Sequence, residues 1–455
     1  MTLRIFPHLF ALGLAYVASG QNTTLITTFT NPAAVAGDNF GNSAAALGSE
    51  RLIIGAWSAD TGAANAGAAY LLNTNGSFLT VVTNPAPASS DYFGYSVAAV
   101  GSDGLLIGAP GDDASGRDSG SAYLTSTNGI LVTTFSNPNS AGGFSFGHSV
   151  AAVGSDRVLI GAPGDHTGAL QAGAVYLFST NGLLLTTITN PAPAASDWFG
   201  QAVTAVGNDR VAIGASRDDS GATDSGSAFL FNTDGNLLTT FINPAPAEGG
   251  RFAVSVAAVG DDRVLIGAYG GTGAAYLFDV NGALITTFAN PTPAGTDWFG
   301  IAVAAIGSDR VLIGAMFEDG GAPQAGAAYL FSTNGTLLAT ITNPTPADSD
   351  WFGASLTMAG SDRMLIGAYQ DDTAAPDAGA AYLFSLAPPT PPALTITPAI
   401  LGNTTISWAP STPGFVLQET ELLSPADWTN SLSGAASPTV KPAALPAKYY
   451  RLRQP

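Results

Sequence analysis

Cysteine is absent from the 455-residue sequence, which excludes disulfides, thiol nucleophiles and cysteine-based metal sites. Histidine is nearly absent too, at three residues, so general-base chemistry has few candidates. Basic residues are scarce: 14 Lys and Arg stand against 33 Asp and Glu. The resulting net charge of −19 argues against nucleic acid or anionic lipid as partner. No helical 3.6-residue periodicity survives past the first twenty residues, and no second long apolar run follows them. The class is therefore all-β, with no membrane span expected.

Residues 1–20 read as a secretory leader. Arg4 supplies the positive region, Ile5 to Val17 the short apolar core, and Ala18-Ser19-Gly20 the small residues before a cut at Gln21. The expected location is extracellular or at the cell surface. An exported chain without disulfides must draw its stability from packing and strand pairing.

What the sequence does have is a repeat. Phe40-Gly41, Phe93-Gly94, Phe146-Gly147, Phe199-Gly200, Phe299-Gly300 and Phe352-Gly353 recur with a degenerate copy, Phe252-Ala253, in the one gap. The steps between these Phe residues are 53, 53, 53, 53, 47 and 53. A period of this size signals an array of similar supersecondary units. In the fourth copy, strands are expected at Ala202 to Val206, Arg210 to Ala215, Gly226 to Phe231 and Leu237 to Ile242. Asn75-Gly76, Asn128-Gly129, Asn181-Gly182, Asp234-Gly235, Asn281-Gly282 and Asn334-Gly335 mark the third-to-fourth strand corners as tight hairpins. First strands such as Val97-Ala98-Ala99-Val100 carry small side chains suited to a crowded axis, while Leu, Ile, Tyr and Phe fill the second and third.

The pattern also predicts closure. Asn-Pro occurs seven times, the first ahead of the first Phe-Gly and none after the seventh copy. The seventh copy thus lacks a fourth strand, and residues 24–30 match what is missing. The expected arrangement is an array of seven four-stranded antiparallel units spanning 21–387, starting near 40, 93, 146, 199, 252, 299 and 352 and closed by the N-terminal strand; an open solenoid, which would want polar caps at both ends, is the alternative. A Pro-rich linker at 388–393 and a small fibronectin-III-like β module at 394–455 would follow.

The run Phe-Gly, Ser-Val-Ala-Ala-Val-Gly, Leu-Ile-Gly-Ala-Pro and Gly-x-Ala-Tyr-Leu resembles the FG-GAP repeat of integrin α-subunit propellers and their secreted bacterial relatives. Gly108-Ala109-Pro110 and Gly161-Ala162-Pro163 carry the GAP element in full. The resemblance implies a seven-bladed β-propeller of four-stranded antiparallel blades in which Phe40, Phe93, Phe146, Phe199, Phe252, Phe299 and Phe352 pack between blades. Integrin-type propellers also carry Asp-x-Asp-x-Asp-Gly cation loops. This chain has only short Gly-Ser-Asp-Arg turns at that position, so no metal is expected from the family's own sites.

The second-to-third and fourth-to-first loops share one face, and 20 of the 33 carboxylates fall there against only Arg117, Arg217 and Arg251. Within it Asp113 and Asp118, Asp219 and Asp224, and Asp372 and Asp377 could ligate a hard cation such as Ca²⁺, or could cap Gly-rich turns. The pairs Asp91-Tyr92, Asp197-Trp198, Asp297-Trp298 and Asp350-Trp351 could stack on and hydrogen-bond a ligand, or the rings could pack on a neighbouring blade. His148 and His166 belong to no catalytic motif. The expectation is a monomeric, cofactor-free, non-enzymatic adhesion or binding protein for an extracellular protein or polysaccharide. A polysaccharide-processing enzyme or its substrate-binding module, and a purely structural envelope or matrix protein, are the alternatives.

Overall fold

Seven four-stranded antiparallel sheets form the ring seen in a computed structural model, which describes residues 23–386 except 140–142, 144, 294 and 295. It also describes strand segments at 393–398, 403–409, 416–420, 429–430, 439–442 and 449–453. The expected leader and residues 388–392 of the expected linker lie outside the described residues.

The first blade runs Phe40–Leu47, Arg51–Ala56, Ala68–Asn73 and Phe78–Thr83 from the axis outward, and five more blades repeat that order. The seventh is built from Ser355–Ala359, Arg363–Ala368 and Ala380–Leu386, and its outer strand is Thr23–Thr30. Thr24 pairs with Ser385 and Phe29 with Ala381, so the chain's first strand closes the last sheet. In the fourth blade the inner strand is Phe199–Val206, beginning at the Phe itself with a bulge before Ala202.

All seven repeat phenylalanines are fully buried. Each lies in a core cluster spanning two adjacent blades. Phe146, for example, joins Val100, Leu106 and Phe135 of blade 2 to Tyr176 and Phe178 of blade 3. The closing cluster adds Phe29 to Phe40, Leu52 and Leu365. Burying one such ring contributes roughly 1.5–3 kcal/mol, so the seven seams hold much of the ring's stability.

The glycine partner of each Phe is set by contact, not by turn preference alone. Gly94 sits at φ +89°, and a Cβ there would lie 2.3 Å from the Ala68 carbonyl oxygen. Ala253 holds the same left-handed region at φ 68° in the degenerate copy.

Three further ties recur between blades. Inner-strand serines donate to the next Phe-Gly carbonyl, as in Ser96 Oγ to Gly147 O at 2.8 Å and Ser355 Oγ to Gly41 O at 2.7 Å. Outer-strand threonines reach the next hairpin, as in Thr133 Oγ1 to Thr180 O at 2.7 Å. On the hairpin face, Arg51, Arg157, Arg210, Arg263 and Arg363 each donate to a turn carbonyl of the following blade at 2.6–2.8 Å. These ties do in hydrogen bonds what a small secreted domain does with disulfides.

The C-terminal region is a separate unit of two three-stranded antiparallel sheets. Asn403–Ala409 lies between Ala393–Pro398 and Thr439–Pro442, and Val416–Thr420 between Thr429–Asn430 and Tyr449–Arg453. Among the described residues, no helix is long and apolar enough to cross a membrane.

Candidate functional site

The loop face is built from a turn that every blade shares. The residue before each repeat Phe adopts positive φ: Asn39, Tyr92, Ser145, Trp198, Arg251, Trp298 and Trp351 lie at 53–59°. After glycine, asparagine tolerates this region best, and bulky side chains there cost roughly 1–2 kcal/mol. Four of the seven positions are nevertheless aromatic.

The turn sends the Asp and its aromatic neighbour different ways. Asp91, Asp197 and Asp350 are 1% exposed and Asp297 is 4% exposed. Their partners are the asparagines of the Asn-Pro pairs seven residues earlier. Asn84 Nδ2 donates to Asp91 at 2.6 Å, Asn190 to Asp197 at 2.7 Å, Asn290 to Asp297 at 2.8 Å and Asn343 to Asp350 at 2.7 Å. Backbone N–H groups of Ala88, Ala194 and Ala347 complete the clasp. Asn31 and Asp38 make the same pair in front of the first blade. Two blades lack the Asp. There Asn137 and Asn243 donate instead to the Ser119 and Ser225 carbonyls. The expectation that these carboxylates face a ligand is therefore corrected: they lock the fourth-to-first loop, and only the rings remain at the surface.

Burial pushes the carboxyls of Asp91, Asp197 and Asp350 up to about 6, against the backbone hydrogen bonds that pull them down. A carboxyl whose pKa is raised on folding holds its proton more tightly in the native state. Its contribution to stability therefore grows as pH falls from about 7 through 6 toward the ordinary 3.8. Replacing Asp91, Asp197 and Asp350 with Asn is expected to flatten the rise in thermal midpoint between pH 7.5 and pH 5. The effect is on the order of 1 kcal/mol per site. Melting curves across that range check it, and an unchanged slope would reject the assignment.

The second-to-third loops spend most of their acid internally as well. Asp165 and Asp371 are buried and accept from the third-strand hydroxyls of Tyr176 at 2.7 Å and Tyr382 at 2.5 Å, and Asp112 does so from Tyr123. Phe229 has no hydroxyl, and Asp218 accepts from Ser227 Oγ instead. The next residue caps the loop: Asp113, Asp219 and Asp372 accept the backbone N–H of Asp118, Asp224 and Asp377 at 2.6–2.8 Å. His166 does the same for Gln171 at 2.9 Å. The six acids weighed as cation ligands are thus three caps and the three residues they cap. Among the described residues, no three His, Asp or Glu gather as a metal site requires. Nine of the 20 loop-face carboxylates are buried, so this mouth is less acidic than a count of residues suggests.

The rings themselves come together. Tyr269, Trp298, Phe317, Trp351 and Tyr369 form an unbroken strip across blades 5 to 7, with successive centroids 4.4, 4.4, 5.4 and 5.2 Å apart. Tyr269 and Trp298 are stacked at 21°; the rest meet at steeper angles. All five are half-buried, and the Trp351 indole N–H is enclosed without a hydrogen-bond partner. A second group joins Trp57 to Tyr92 and Tyr95, and Tyr95 to His148. His148 Nε2 lies 3.3 Å from the Tyr95 hydroxyl, and burial lowers its pKa to about 4, leaving it neutral at physiological pH. Arg217 lies 3.4 Å over the Trp198 ring, and Arg251 makes a two-pronged pair with Asp224 at 3.1 Å. The sequence pattern does not single out Trp57, Phe317, Tyr269 or Tyr369. Each follows a Gly-Ala of the second strand by one or two positions, and that spacing is the signal that could have found them.

Residues 24–72, 82–125, 134–178, 185–231, 292–331 and 336–384, together more than half of the chain, match the family model described as FG-GAP repeat. The unmatched interval holds the Phe252 copy, whose second-to-third loop is shortened. No curated protein matches the chain. Among solved structures it is similar to the WD40 β-propeller domain of Doa1, at 16% identity and a TM-score of 0.50, over 81% of this chain and 98% of that one. The C-terminal WD40 domain of Sif2 aligns at 12% identity and a TM-score of 0.47, over 81% and 99%. BamB from Moraxella catarrhalis aligns at 13% identity and a TM-score of 0.42, over 80% and 100%. At such identities the likeness is one of fold alone.

Proposed function

The chain belongs to the FG-GAP repeat family, and on that footing we propose that it is a secreted, non-enzymatic recognition protein that holds an extracellular glycan or protein at its loop face, in an adhesion or surface-recognition role. The observation that carries this reading is the five-ring strip from Tyr269 to Tyr369. Two of its members, Trp298 and Trp351, sit at positions where asparagine would cost less backbone strain. Bulky rings retained in a strained conformation point to use, and Asn39 supplies the turn without one. A half-buried strip of mixed faces and edges, on the same loop face as exposed Asp319, Asp372 and Asp377, suits an extended glycan whose apolar faces stack and whose hydroxyls bond to acids of that face.

The double variant Trp298→Asn, Trp351→Asn tests it, because Asn is at home in that turn and the fold should persist. Binding on a glycan and extracellular-protein array is expected to fall at least about tenfold, with the thermal midpoint within a few degrees of wild type. Retained binding in a folded double variant would reject the strip as the site. Release of reducing ends from a polysaccharide panel would instead favour the enzymatic alternative.

A further inference from the structure

The hairpin face carries a ring of arginines with one member missing. Arg51, Arg157, Arg210, Arg263, Arg310 and Arg363 open the second strands of six blades, and the seventh position, in blade 2, is Gly104. In five of the filled seams the guanidinium donates to the carbonyl of the residue that follows the turn glycine in the next blade: Ser102, Asn208, Asp261, Ser308 or Ser49. The acid immediately before each arginine often lies beside it, as Asp156 does by Arg157 at 3.7 Å and Asp209 by Arg210 at 3.4 Å. Arg363 also reaches Thr74, the hairpin threonine of the next blade, at 2.7 Å.

Between blades 2 and 3 the acceptors remain and the cation is gone. The equivalent carbonyl belongs to Ser155, the equivalent acid is Asp103, and the equivalent hairpin threonine is Thr180. All three line an open cavity of about 530 Å³ whose floor is Val100, Leu124 and Thr125. The Asp103 carboxylate accepts from the Thr127 hydroxyl of its own blade, which fixes its position. Thr125 enlarges the cavity further, standing where other blades place Leu72, Phe178, Phe231, Phe278, Phe331 and Phe384. Its hydroxyl is buried and unpartnered.

We propose that this cleft is a binding site for an alkylguanidinium group, filled by an arginine side chain that a protein partner presents. The argument is internal to the molecule: in five other seams an arginine of this chain already bonds to the turn carbonyl whose counterpart here lines the cleft. Charge-assisted bonds to a carboxylate and a turn carbonyl are the stronger class of hydrogen bond, and the planar fork of a guanidinium fits them where an ammonium does not. The site lies on the face opposite the aromatic strip, so it stands or falls separately from the function proposed above.

Calorimetric titration of the full-length protein tests it, with acetyl-Gly-Arg-Gly-amide as probe and the citrulline peptide as the neutral isostere. Saturable binding of the arginine peptide is expected, with the citrulline peptide at least about tenfold weaker. Asp103→Asn should weaken the arginine peptide by about tenfold, while Asp209→Asn, whose turn borders only filled seams, should leave it unchanged. Gly104→Arg should abolish binding by occupying the cleft. Because a Cβ at that position would lie 2.7 Å from the Val100 carbonyl oxygen, Asp103→Asn decides the matter if this variant does not fold. Equal binding of the two peptides, no binding of either, or equal loss in Asp103→Asn and Asp209→Asn would overturn the proposal. Binding of free argininamide but not the peptide would overturn the assignment to a protein partner.

Discussion

Gly173→Ala is expected to cost more than about 4 kcal/mol and to leave the ring unfolded or open at physiological temperature. Gly173 lies at φ +89°, where a Cβ would stand 2.0 Å from the Phe199 carbonyl oxygen and 2.6 Å from its nitrogen. The conformation alone accounts for roughly 1–2 kcal/mol. The remainder comes from the neighbour's inability to move. The Phe199 N–H is bonded to Ala172 O at 3.0 Å, and its ring is wedged among Val153, Leu159, Val211 and Phe231. Relieving the clash means prising blade 4 from blade 3. Gly48→Ala is the matched control, since Gly48 also has positive φ but nothing within 4 Å of where its methyl would stand. Denaturant unfolding of both variants compares them. A loss at Gly173 no larger than at Gly48 would show that the seam tolerates separation.

Removing Thr23–Thr30 is expected to drive the protein into aggregates, or into assemblies larger than the intact chain forms. That strand supplies the outer partner of Ala380–Leu386, and without it the last sheet ends in an unpaired row of N–H and C=O groups. It also takes Phe29 from the cluster that joins the last blade to the first, a loss of roughly 3–5 kcal/mol by itself. Light scattering after size exclusion reads the result. A synthetic peptide of the sequence Thr-Thr-Leu-Ile-Thr-Thr-Phe-Thr should restore the size of the intact protein in trans. A deletion variant of unchanged size with an unchanged melting curve would mean that closure rests on the other ties at that seam, chiefly Arg363 to Ser49, Glu50 and Thr74.

The ring is legible in the sequence because its repeated residues answer to backbone geometry. Phe-Gly puts a glycine at six of the seven close approaches, Asn-Gly or Asp-Gly closes the third-to-fourth hairpins, and the count of Asn-Pro pairs betrays the displaced strand. The loop face is less legible. Asp197 and Trp198 are adjacent in sequence, which suggests a common surface, yet the left-handed turn between them buries one and leaves the other half-exposed. The clue lies in a spacing: Asn190 and Asp197 are seven apart, as are Asn84 and Asp91, Asn290 and Asp297, and Asn343 and Asp350. Where position 251 is Arg and not an aromatic, the Asp is missing as well. The aromatic strip joins rings from sites 18 to 34 residues apart, and only blade-to-blade packing brings Trp298 against both Tyr269 and Phe317. The empty cleft at Gly104 emerges only when the seven copies are laid over one another in space.

The closing strand also imposes an order in time. Thr23–Thr30 is synthesised ahead of the rest of the ring, but Ala380–Leu386 is the segment it must pair with. Six blades can form from local hairpins while that strand waits, carrying exposed Leu25 and Ile26. Ring closure is then the step with the largest loop to bring together, and the one expected to limit the folding rate. A cell making this protein must keep an early, sticky strand unpaired until the seventh blade arrives.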